Sequence, residues 1–299
     1  MTDYHNPVLL NESVDALAIE PDANYADVTF GGGGHSKAIL GKLVSGKLLA
    51  FDQDAEAHEN ALEHSNFILA KSNFKYLKNF VRLHGLSPLK GVLADLGVSS
   101  HQFDKAERGF SIRFEADLDM RMDQSVKKSA KDVLNKYTEE ELSSMFWQYG
   151  ELRQSRKIAA EIVSARSVEK IKTVNGLKSI LEHMAPSRKE NQFFAQVFQA
   201  IRIEVNDELN ALKEMLVQSA ELLGKDGRLV VISYHSLEDR LVKNFLKTGD
   251  FSGKQEKDFY GNLIRPLKPL QSKVITPDKE EVGMNPRARS AKLRIGVKL

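Results

Sequence analysis

The segment Asn24-Tyr-Ala-Asp-Val-Thr-Phe-Gly-Gly-Gly-Gly-His-Ser-Lys-Ala-Ile-Leu40 decides the fold that the sequence predicts. It begins with a short apolar run of β-forming side chains, which ends at the glycines Gly31–Gly34. Apolar side chains then recur at helical spacing as far as Leu43. This order is that of a strand, a glycine loop and a helix.

The same alternation continues as far as Gly97. Strand-like runs occur at Lys47–Asp54, Phe67–Lys71 and Gly91–Gly97, with helical segments at Ala55–Glu63 and Phe74–Leu83 between them. Strands that alternate with helices at this spacing form parallel sheets, because each crossover packs a helix on the sheet. The predicted fold class is therefore α/β, with a mostly parallel, doubly wound, Rossmann-like sheet.

A helical stretch interrupts this pattern. Residues 101–130 are polar and loop-like, and helical periodicity then runs from Thr138 to Glu204, with Thr138-Glu-Glu-Glu141 as a cap and acidic first turn. A helix near Asp207–Leu223 and a strand at Arg228–Ser233 resume the α/β pattern. We therefore predict a first part of the α/β domain at 1–105, a mostly helical inserted subdomain at 106–205 and a second part at 206–299.

The segments after that strand are predicted in less detail. Ser236–Leu246 is typical of a helix with Ser236 as its N-cap, since acidic residues come early and lysines late. Residues 249–290 have a loop-like composition, and Leu293–Leu299 predicts a final edge strand.

Composition excludes several classes of protein. The 299 residues contain no cysteine, which excludes disulfide scaffolds, zinc ribbons, iron–sulfur clusters and thiol nucleophiles. The sequence has neither a signal-like N-terminal segment nor an apolar stretch that could span a bilayer, so a cytoplasmic protein is expected. The net charge is +2, yet residues 240–299 hold 14 Lys and Arg against 6 Asp and Glu.

The glycine loop and Asp52 indicate a nucleotide-type ligand. Glycine amides allow a ligand to approach closely, and an acid at the end of the second strand can accept hydrogen bonds from ribose hydroxyls. A structural turn with a solvated aspartate is the alternative. Because Ser36 stands where a dinucleotide fingerprint has its third small residue, an adenosyl ligand such as S-adenosylmethionine is favoured over NAD. A nicotinamide-dependent dehydrogenase and a non-catalytic protein that retains a vestigial nucleotide pocket remain the competing interpretations.

Three further segments contain polar residues that could bind a ligand, take part in catalysis or have only a structural role. Asp95 ends the fourth strand, where it could hold the amino group of a cofactor, position an acceptor nitrogen or cap a turn. Asp117–Asp123 could bind a metal, or its methionines could fill a groove. His235, Ser236 and Asp239 resemble hydrolase residues without a nucleophile elbow, so the N-cap role of Ser236 is favoured.

Basic and aromatic residues near the end of the chain suggest contacts with RNA. Asn285-Pro-Arg-Ala-Arg-Ser-Ala-Lys-Leu-Arg294 contains four cations, which suit backbone phosphates but are also common on solvated surfaces. We name Arg287, Arg289 and Lys292 as candidate RNA-binding residues. Tyr234 and His235 join them as candidates for stacking on a flipped base.

Taken together, these segments resemble a known family from end to end. The motifs that carry the resemblance are His5–Leu10, Asp27–Ser36, Asp95–Ser100, Arg108–Ser111, Leu118–Asp123, Phe198–Arg202, His235–Arg240 and Asn285–Ser290. The sequence resembles the MraW (RsmH) family of S-adenosylmethionine-dependent methyltransferases of bacterial 16S ribosomal RNA.

The resemblance implies a class I methyltransferase domain whose helical insertion recognises the substrate. It implies methylation of the exocyclic N4 of one cytidine in the decoding region of 16S rRNA in the small ribosomal subunit, with no metal. The family's cofactor contacts fall on Gly33, Gly34, His35, Asp52, Phe74, Asp95 and Gln102. A homodimer is a further possibility, and Tyr234 stands where many members have phenylalanine.

Asp95 is also the candidate catalytic residue. An acceptor that binds a proton of N4 would raise the nucleophilicity of this nitrogen. The main-chain carbonyls of Leu96–Gly97 are the alternative, since the sequence lacks the Asp/Asn-Pro-Pro-Tyr tetrapeptide usual in amino-methyltransferases.

Overall fold

Seven strands form one sheet in the computed structural model, which describes residues 7–299. The strands are β1 (Tyr25–Asp27), β2 (Leu48–Asp52), β3 (Phe67–Lys71), β4 (Leu89–Asp95), β5 (Leu223–Ser233), β6 (Leu267–Pro269) and β7 (Lys292–Lys298). Their order in the sheet is β3-β2-β1-β4-β5-β7-β6. The first five are parallel and β7 is antiparallel to both of its neighbours. The predicted fold class, α/β with a mostly parallel sheet, is confirmed.

Alternate side chains of β5 enter two different cores. Val231 packs in the core on one face of the sheet, whereas Val230 and Ile232 pack in the core on the other. Side chains of a strand point alternately to its two faces, so both faces of a parallel sheet need apolar residues. This requirement explains why the strands have continuous apolar runs in the sequence.

Six helices accompany the sheet, and one predicted cap needs correction. They are α1 (Leu10–Ala16), α2 (Gly34–Leu40), α3 (Leu77–Leu83), α10 (Glu208–Leu222), α11 (Ser236–Thr248) and α12 (Lys279–Met284). Ser236 is the first residue of α11 and not its N-cap. His235 has extended backbone angles and is the N-cap, because it forms a reciprocal capping box with Glu238.

Two other predictions for this region were wrong. The last strand, β7, is not an edge strand, because β5 and β6 pair with its two sides. The segment 249–290, predicted as loop, contains β6 and α12. Both are short, with three and six residues, so their sequences cannot show the periodicity that reveals longer elements.

The remaining residues form a unit of their own, which is helical. Its helices are α4 (Ser100–Asp104), α5 (Ala130–Lys136), α6 (Glu139–Gly150), α7 (Ser155–Val168), α8 (Val174–Leu181) and α9 (Glu190–Asn206). Their apolar side chains form a separate core. The predicted cap at Thr138 is present, since its hydroxyl accepts a hydrogen bond of 3.2 Å from the N–H of Glu141.

Contacts divide the chain into a first unit, made of residues up to Gly97 and Leu209–Leu299, and a second unit, Val98–Glu208. The predicted borders at 105 and 205 lie within the second unit. Its first helix explains the difference at 105, because the Ser99 hydroxyl starts α4 by accepting a hydrogen bond from the Gln102 N–H. No helix in the described part of the chain is long and apolar enough to cross a membrane.

The segment Asp117–Asp123 of the second unit is a packed loop. Met120 and Met122 are buried in the helical core, so the groove-filling interpretation of these methionines is confirmed. Asp119 binds Arg121 through two hydrogen bonds of 2.7 Å, and Asp117 pairs with Lys131 at 2.7 Å. These carboxylates therefore balance neighbouring cations.

Candidate active site

Three strands of the first unit end in an aspartate. Asp27, Asp52 and Asp95 are the last residues of β1, β2 and β4, which are adjacent and parallel in the sheet. The carboxyl ends of parallel strands lie at one edge of a sheet, and open α/β sheets bind their ligands there. This edge is the candidate active site.

Asp52 is joined to the glycine loop. Its Oδ2 accepts a hydrogen bond of 2.8 Å from the Gly31 N–H, and its Oδ1 accepts one of 2.8 Å from the Asp54 N–H. Burial raises the pKa of the Asp52 carboxyl to about 6, although these two hydrogen bonds act in the opposite direction. Sequence spacing placed Asp52 beside the loop, and the structure brings them into direct contact.

Glycine is required in the loop itself. Gly33 has φ +76°, a left-handed conformation that other L-residues rarely adopt, and it is the N-cap of α2. A Cβ on Gly34 would lie 2.2 Å from Cγ of Pro7. The loop backbone therefore cannot carry ordinary side chains at these two positions.

Asp95 lies at the centre of a buried polar cluster. The Tyr234 hydroxyl donates a hydrogen bond of 2.7 Å to Asp95 Oδ1, and the Asp95 N–H donates one of 2.6 Å to Thr29 Oγ1. Nδ1 of His35 lies 3.9 Å from Asp95 Oδ2. Burial raises the pKa of Asp95 to about 6, while His35 and the Tyr234 hydroxyl oppose this shift. The pKa of the Tyr234 hydroxyl is itself raised by burial and by Asp95.

Sequence reasoning missed the third carboxylate of this edge, Asp27. Its side chain is fully buried and accepts hydrogen bonds from the Ser36 hydroxyl at 2.7 Å and the Thr29 N–H at 3.1 Å. Burial raises its pKa, although nearby His35 acts in the opposite direction. The signal that could have revealed Asp27 is its position at the end of a strand, which it shares with Asp52 and Asp95.

His35 is buried beside these carboxylates. It follows the loop glycines in the first turn of α2, and its side chain is largely inaccessible to solvent. Its Nε2 has no hydrogen-bond partner among the residues that the structure describes. A buried ring nitrogen without a partner is costly, and such groups occur where a ligand or water completes the hydrogen bonding.

The other two predicted cofactor residues lie in different units. Phe74 begins a short 3₁₀ helix directly after β3, where the Ser72 N–H donates to the Asp52 carbonyl at 3.1 Å. It therefore follows the same edge of the sheet as Asp52. Gln102 lies in the second unit, where its side chain accepts a hydrogen bond of 3.1 Å from the Ser99 N–H. Its assignment to the cofactor site stays a prediction.

Four of the five candidate RNA-binding residues line one cavity of the first unit. Tyr234, His235, Arg289 and Lys292 contribute to this cavity, whose volume is about 300 Å³. Tyr234 and His235 lie far from Arg289 and Lys292 in the sequence. The antiparallel pairing of β5 with β7 brings these residues together, because Ser233 lies opposite Lys292. Two motifs that were analysed separately therefore form one surface.

The cations of this surface are not equivalent. Arg287 and Arg289 are exposed on a 3₁₀ helix, Pro286–Ser290. Lys292 Nζ instead lies 3.3 Å from Asp239 Oδ2, and Arg294 Nε donates to Asp239 Oδ1 at 2.6 Å. Although burial acts to raise the pKa of Asp239, these two cations hold it below its ordinary value. Asp239 therefore has a structural role, which argues against the hydrolase interpretation.

The sequence matches the MraW methylase family over residues 2–299. The chain belongs to the MraW methylase family. The resemblance that its motifs indicated is confirmed, as is the expectation of an enzyme that transfers a methyl group.

Relatives of this family cover the chain almost completely. "Ribosomal RNA small subunit methyltransferase H" of Bacteroides fragilis strain YCH46 is 54% identical over 99% of this chain and 98% of its own. The protein of the same name from Flavobacterium johnsoniae is 55% identical over 99% of this chain and 98% of its own. A solved rRNA methylase from Streptococcus thermophilus aligns over 100% of this chain and 99% of its own, with 13% identity and a TM-score of 0.45.

Proposed function

We propose that this MraW methylase transfers a methyl group from S-adenosylmethionine to the exocyclic N4 of a cytidine in the decoding region of 16S rRNA. Family membership over residues 2–299 and relatives named for small-subunit rRNA support the reaction class and the substrate. The observation that carries the chemical part is Asp95, a carboxylate at the sheet edge that is only 23% exposed and has no Lys or Arg paired with it among the described residues.

The residues at this edge fit the methyl donor. Asp52 uses one acceptor position on each oxygen for Gly31 and Asp54, and an ionised carboxylate has about four such positions. Two remain for the hydroxyls of a ribose. The orphaned Nε2 of His35 and the glycine backbone of Gly33 and Gly34 add further groups that a ligand can contact.

We assign the donor to Gly33, Gly34, His35, Asp52, Phe74, Asp95 and Gln102. When bound, S-adenosylmethionine supplies a methyl group on a positively charged sulfur. The ionised carboxylates of Asp52 and Asp95 complement such a cation, and at pH 7 both are mostly ionised because their pKa values are about 6.

Asp95 also acts on the nucleophile. The Tyr234 hydroxyl occupies Oδ1 and orients the carboxylate, so that Oδ2 can accept a hydrogen bond from an amino group. A hydrogen bond from N4 to Asp95 concentrates the nitrogen lone pair and raises its nucleophilicity. The main-chain carbonyls of Leu96–Gly97 are the alternative acceptors.

The cavity beside Asp95 is the proposed site of the cytosine. The ring of Tyr234 offers an aromatic face, and His235 lies next to it in the cavity wall. Enzymes that modify a base take it out of the stack and hold it against such side chains. Arg287, Arg289 and Lys292 would bind phosphates of the RNA around the flipped nucleotide.

The decisive experiment measures transfer of a labelled methyl group to rRNA. The chain is incubated with labelled S-adenosylmethionine and either protein-free 16S rRNA or 30S subunits, and the nucleosides are then separated. We expect label in N4-methylcytidine, and the RNA that carries it identifies the form of the substrate. Label in another nucleoside would disprove the proposed specificity, and no label in either RNA would disprove the proposed activity.

A second experiment tests the basic surface. Changing Arg287, Arg289 and Lys292 together to alanine should weaken RNA binding and flatten its salt dependence, because each lost phosphate contact lowers the slope by about 0.7–0.9. Lys292 alone should change the slope least, since Asp239 holds it. Equal slopes in the triple variant and the parent would contradict this assignment.

Three expectations stay part of the proposal. Recognition of RNA by the helical unit, a cytoplasmic location and a homodimer follow from the resemblance and from a ribosomal substrate. Chromatography with light scattering would test the homodimer directly.

A further inference from the structure

Two aromatic side chains of the first unit are held in solvent by the hairpin Lys254–Arg265. Phe259 is 97% exposed and Tyr260 is 86% exposed, with ring centroids 5.7 Å apart and nearly perpendicular planes. An aromatic ring normally contributes to stability through its burial. These two rings contribute almost nothing to the core of their own unit.

The backbone that carries the rings is nevertheless ordered by hydrogen bonds. Asp258 Oδ1 accepts hydrogen bonds of 2.9 Å from the Tyr260 N–H and 2.8 Å from the Asn262 N–H. The Asn262 side chain donates to Asp258 Oδ2 at 3.0 Å, and Gly261 supplies the positive φ of the turn. The entropy cost of fixing this turn is already met in the free protein, as in preorganised binding loops.

The hairpin is also tied to the body of the unit. At its base Phe251 stacks on Phe245 of α11, with ring centroids 5.1 Å apart. Arg265 donates a hydrogen bond of 2.9 Å to the carbonyl of Lys247, near the end of the same helix. The two exposed rings therefore project from a fixed base.

Charge identifies the kind of partner. Lys254 and Lys257 are exposed in the same hairpin, and Lys268 follows it. The hairpin has two acids, Asp258, which is engaged in the turn, and Glu256, which is exposed, so residues 254–268 have four cations against two acids. Exposed aromatic rings with neighbouring cations are the arrangement with which proteins bind single-stranded RNA, through stacking on bases and attraction of phosphates.

We propose that Phe259 and Tyr260 form a stacking platform for unpaired bases of the rRNA substrate. This inference rests on the proposed function, whose substrate is rRNA. The platform is a separate contact from the cavity near Tyr234, and it belongs to no motif that carried the family resemblance.

Stacking can be tested with a graded set of variants. We compare Phe259→Ala/Tyr260→Ala, Phe259→Leu/Tyr260→Leu and the control Leu83→Ala, which removes another side chain that is 74% exposed in this unit. Base stacking contributes about 1–3 kcal/mol per base, so the alanine pair should raise the Kd for protein-free 16S rRNA and the KM for RNA at least about fivefold. The leucine pair should lose nearly as much, because leucine keeps apolar area without a planar face. Thermal stability, kcat and affinity for S-adenosylmethionine should not change in any variant.

A photo-crosslink identifies the partner on the assembled substrate. With benzoylphenylalanine introduced at Tyr260, irradiation with 30S subunits should attach the chain to rRNA. Attachment only to ribosomal proteins, or no attachment, would overturn the proposal. An unchanged affinity for 16S rRNA in the leucine pair or the alanine pair would overturn it too. If the parent enzyme methylates no rRNA, the proposed function itself is refuted. This result is distinguishable from failure of the stacking proposal because it is obtained without any variant.

Discussion

Asp95 of the first unit and Asp119 of the second are both largely removed from solvent, but their surroundings are opposite. Arg121 binds Asp119 through two hydrogen bonds of 2.7 Å, and these outweigh burial and hold the Asp119 pKa below its ordinary value. Asp95 has a tyrosine hydroxyl and a histidine at 3.9 Å, and burial raises its pKa to about 6.

The same contrast separates other carboxylates of the two units. Asp27 and Asp52 also have raised pKa values, caused chiefly by burial. In the second unit, a hydrogen bond from Lys136 lowers the pKa of Asp132, with help from Ser129. Buried charge without a cation destabilises a fold, whereas charge that is paired does so much less. The first unit keeps a costly arrangement where a cationic ligand and a nucleophile are expected, and the second unit uses its acids for structure.

Asp95→Asn should have the largest effect on activity. The neutral amide keeps the shape but loses the charge that activates N4, and we expect kcat to fall at least about 100-fold, as for loss of a general base. Turnover of labelled methyl groups measures this change. Unchanged turnover together with unchanged affinity for S-adenosylmethionine would rule out both proposed roles.

The same variant should be more stable than the parent at pH 7. A raised pKa means that Asp95 favours the folded state below its unfolded pKa near 3.9, and that this contribution is lost as pH rises through about 6. Removing the charge should therefore stabilise the fold by about 1–3 kcal/mol at pH 7. Chemical denaturation compares the two proteins, and a lower stability of the variant would contradict the contrast drawn here.

Asp119→Asn should show the reverse behaviour. A lowered pKa means that this carboxylate stabilises the fold at neutral pH, and that the contribution is lost as pH falls through its folded pKa. We expect a loss of about 2 kcal/mol, because Arg121 is left partly buried without its partner. Affinity for S-adenosylmethionine, measured by calorimetry, should stay within twofold of the parent value. A large loss of this affinity would contradict the purely structural role of Asp119.

The pH dependence of methyl transfer should follow Asp95. Because its pKa is about 6, the ionised fraction rises about tenfold from pH 5 to pH 7. We expect kcat/KM for S-adenosylmethionine, which follows ionisation of the free enzyme, to rise by the same factor and to level off above pH 7. The Asp95→Asn variant is the control, since its residual rate should not rise between pH 5 and pH 7.

Tyr234→Phe should have the smallest effect. It removes the hydrogen bond to Asp95, and this hydrogen bond opposes the rise of the Asp95 pKa. The rise in the rate of methyl transfer with pH should therefore move to higher pH. The aromatic face of the cavity is kept, and kcat at pH 8 should change less than about threefold. A shift of this rise to lower pH would show that the Tyr234 hydroxyl does not stabilise the ionised carboxylate of Asp95.

The strands around the glycine loop were predictable because each is a continuous apolar run next to a glycine or an acid. Periodicity also revealed the helices of the second unit. It did not reveal β6, which is only three residues long, or the position of β7 between β5 and β6, because pairing partners are set by contacts across the chain.

At the candidate site, spacing alone led to Asp52, and the position at the end of β4 led to Asp95. The role of His235 as an N-cap was hidden, because serine is the far commoner cap and stands next to it. Asp27 was hidden because its partner, Ser36, lies in the next helix and only the folded chain brings the two together. The shared cavity of Tyr234 and Lys292 depends in the same way on strand pairing.

The neighbouring strands β4 and β5 have a consequence for the order in which the chain folds. The whole second unit lies in sequence between Asp95 and Leu223, so their pairing must close one long loop. Loop-closure entropy grows slowly, by only about 0.6 kcal/mol for each doubling of length, so the insertion costs little stability. Its cost is kinetic, because non-local pairing slows folding whereas local helical contacts form early. The helical unit should therefore gain structure before the sheet that carries the aspartates is complete.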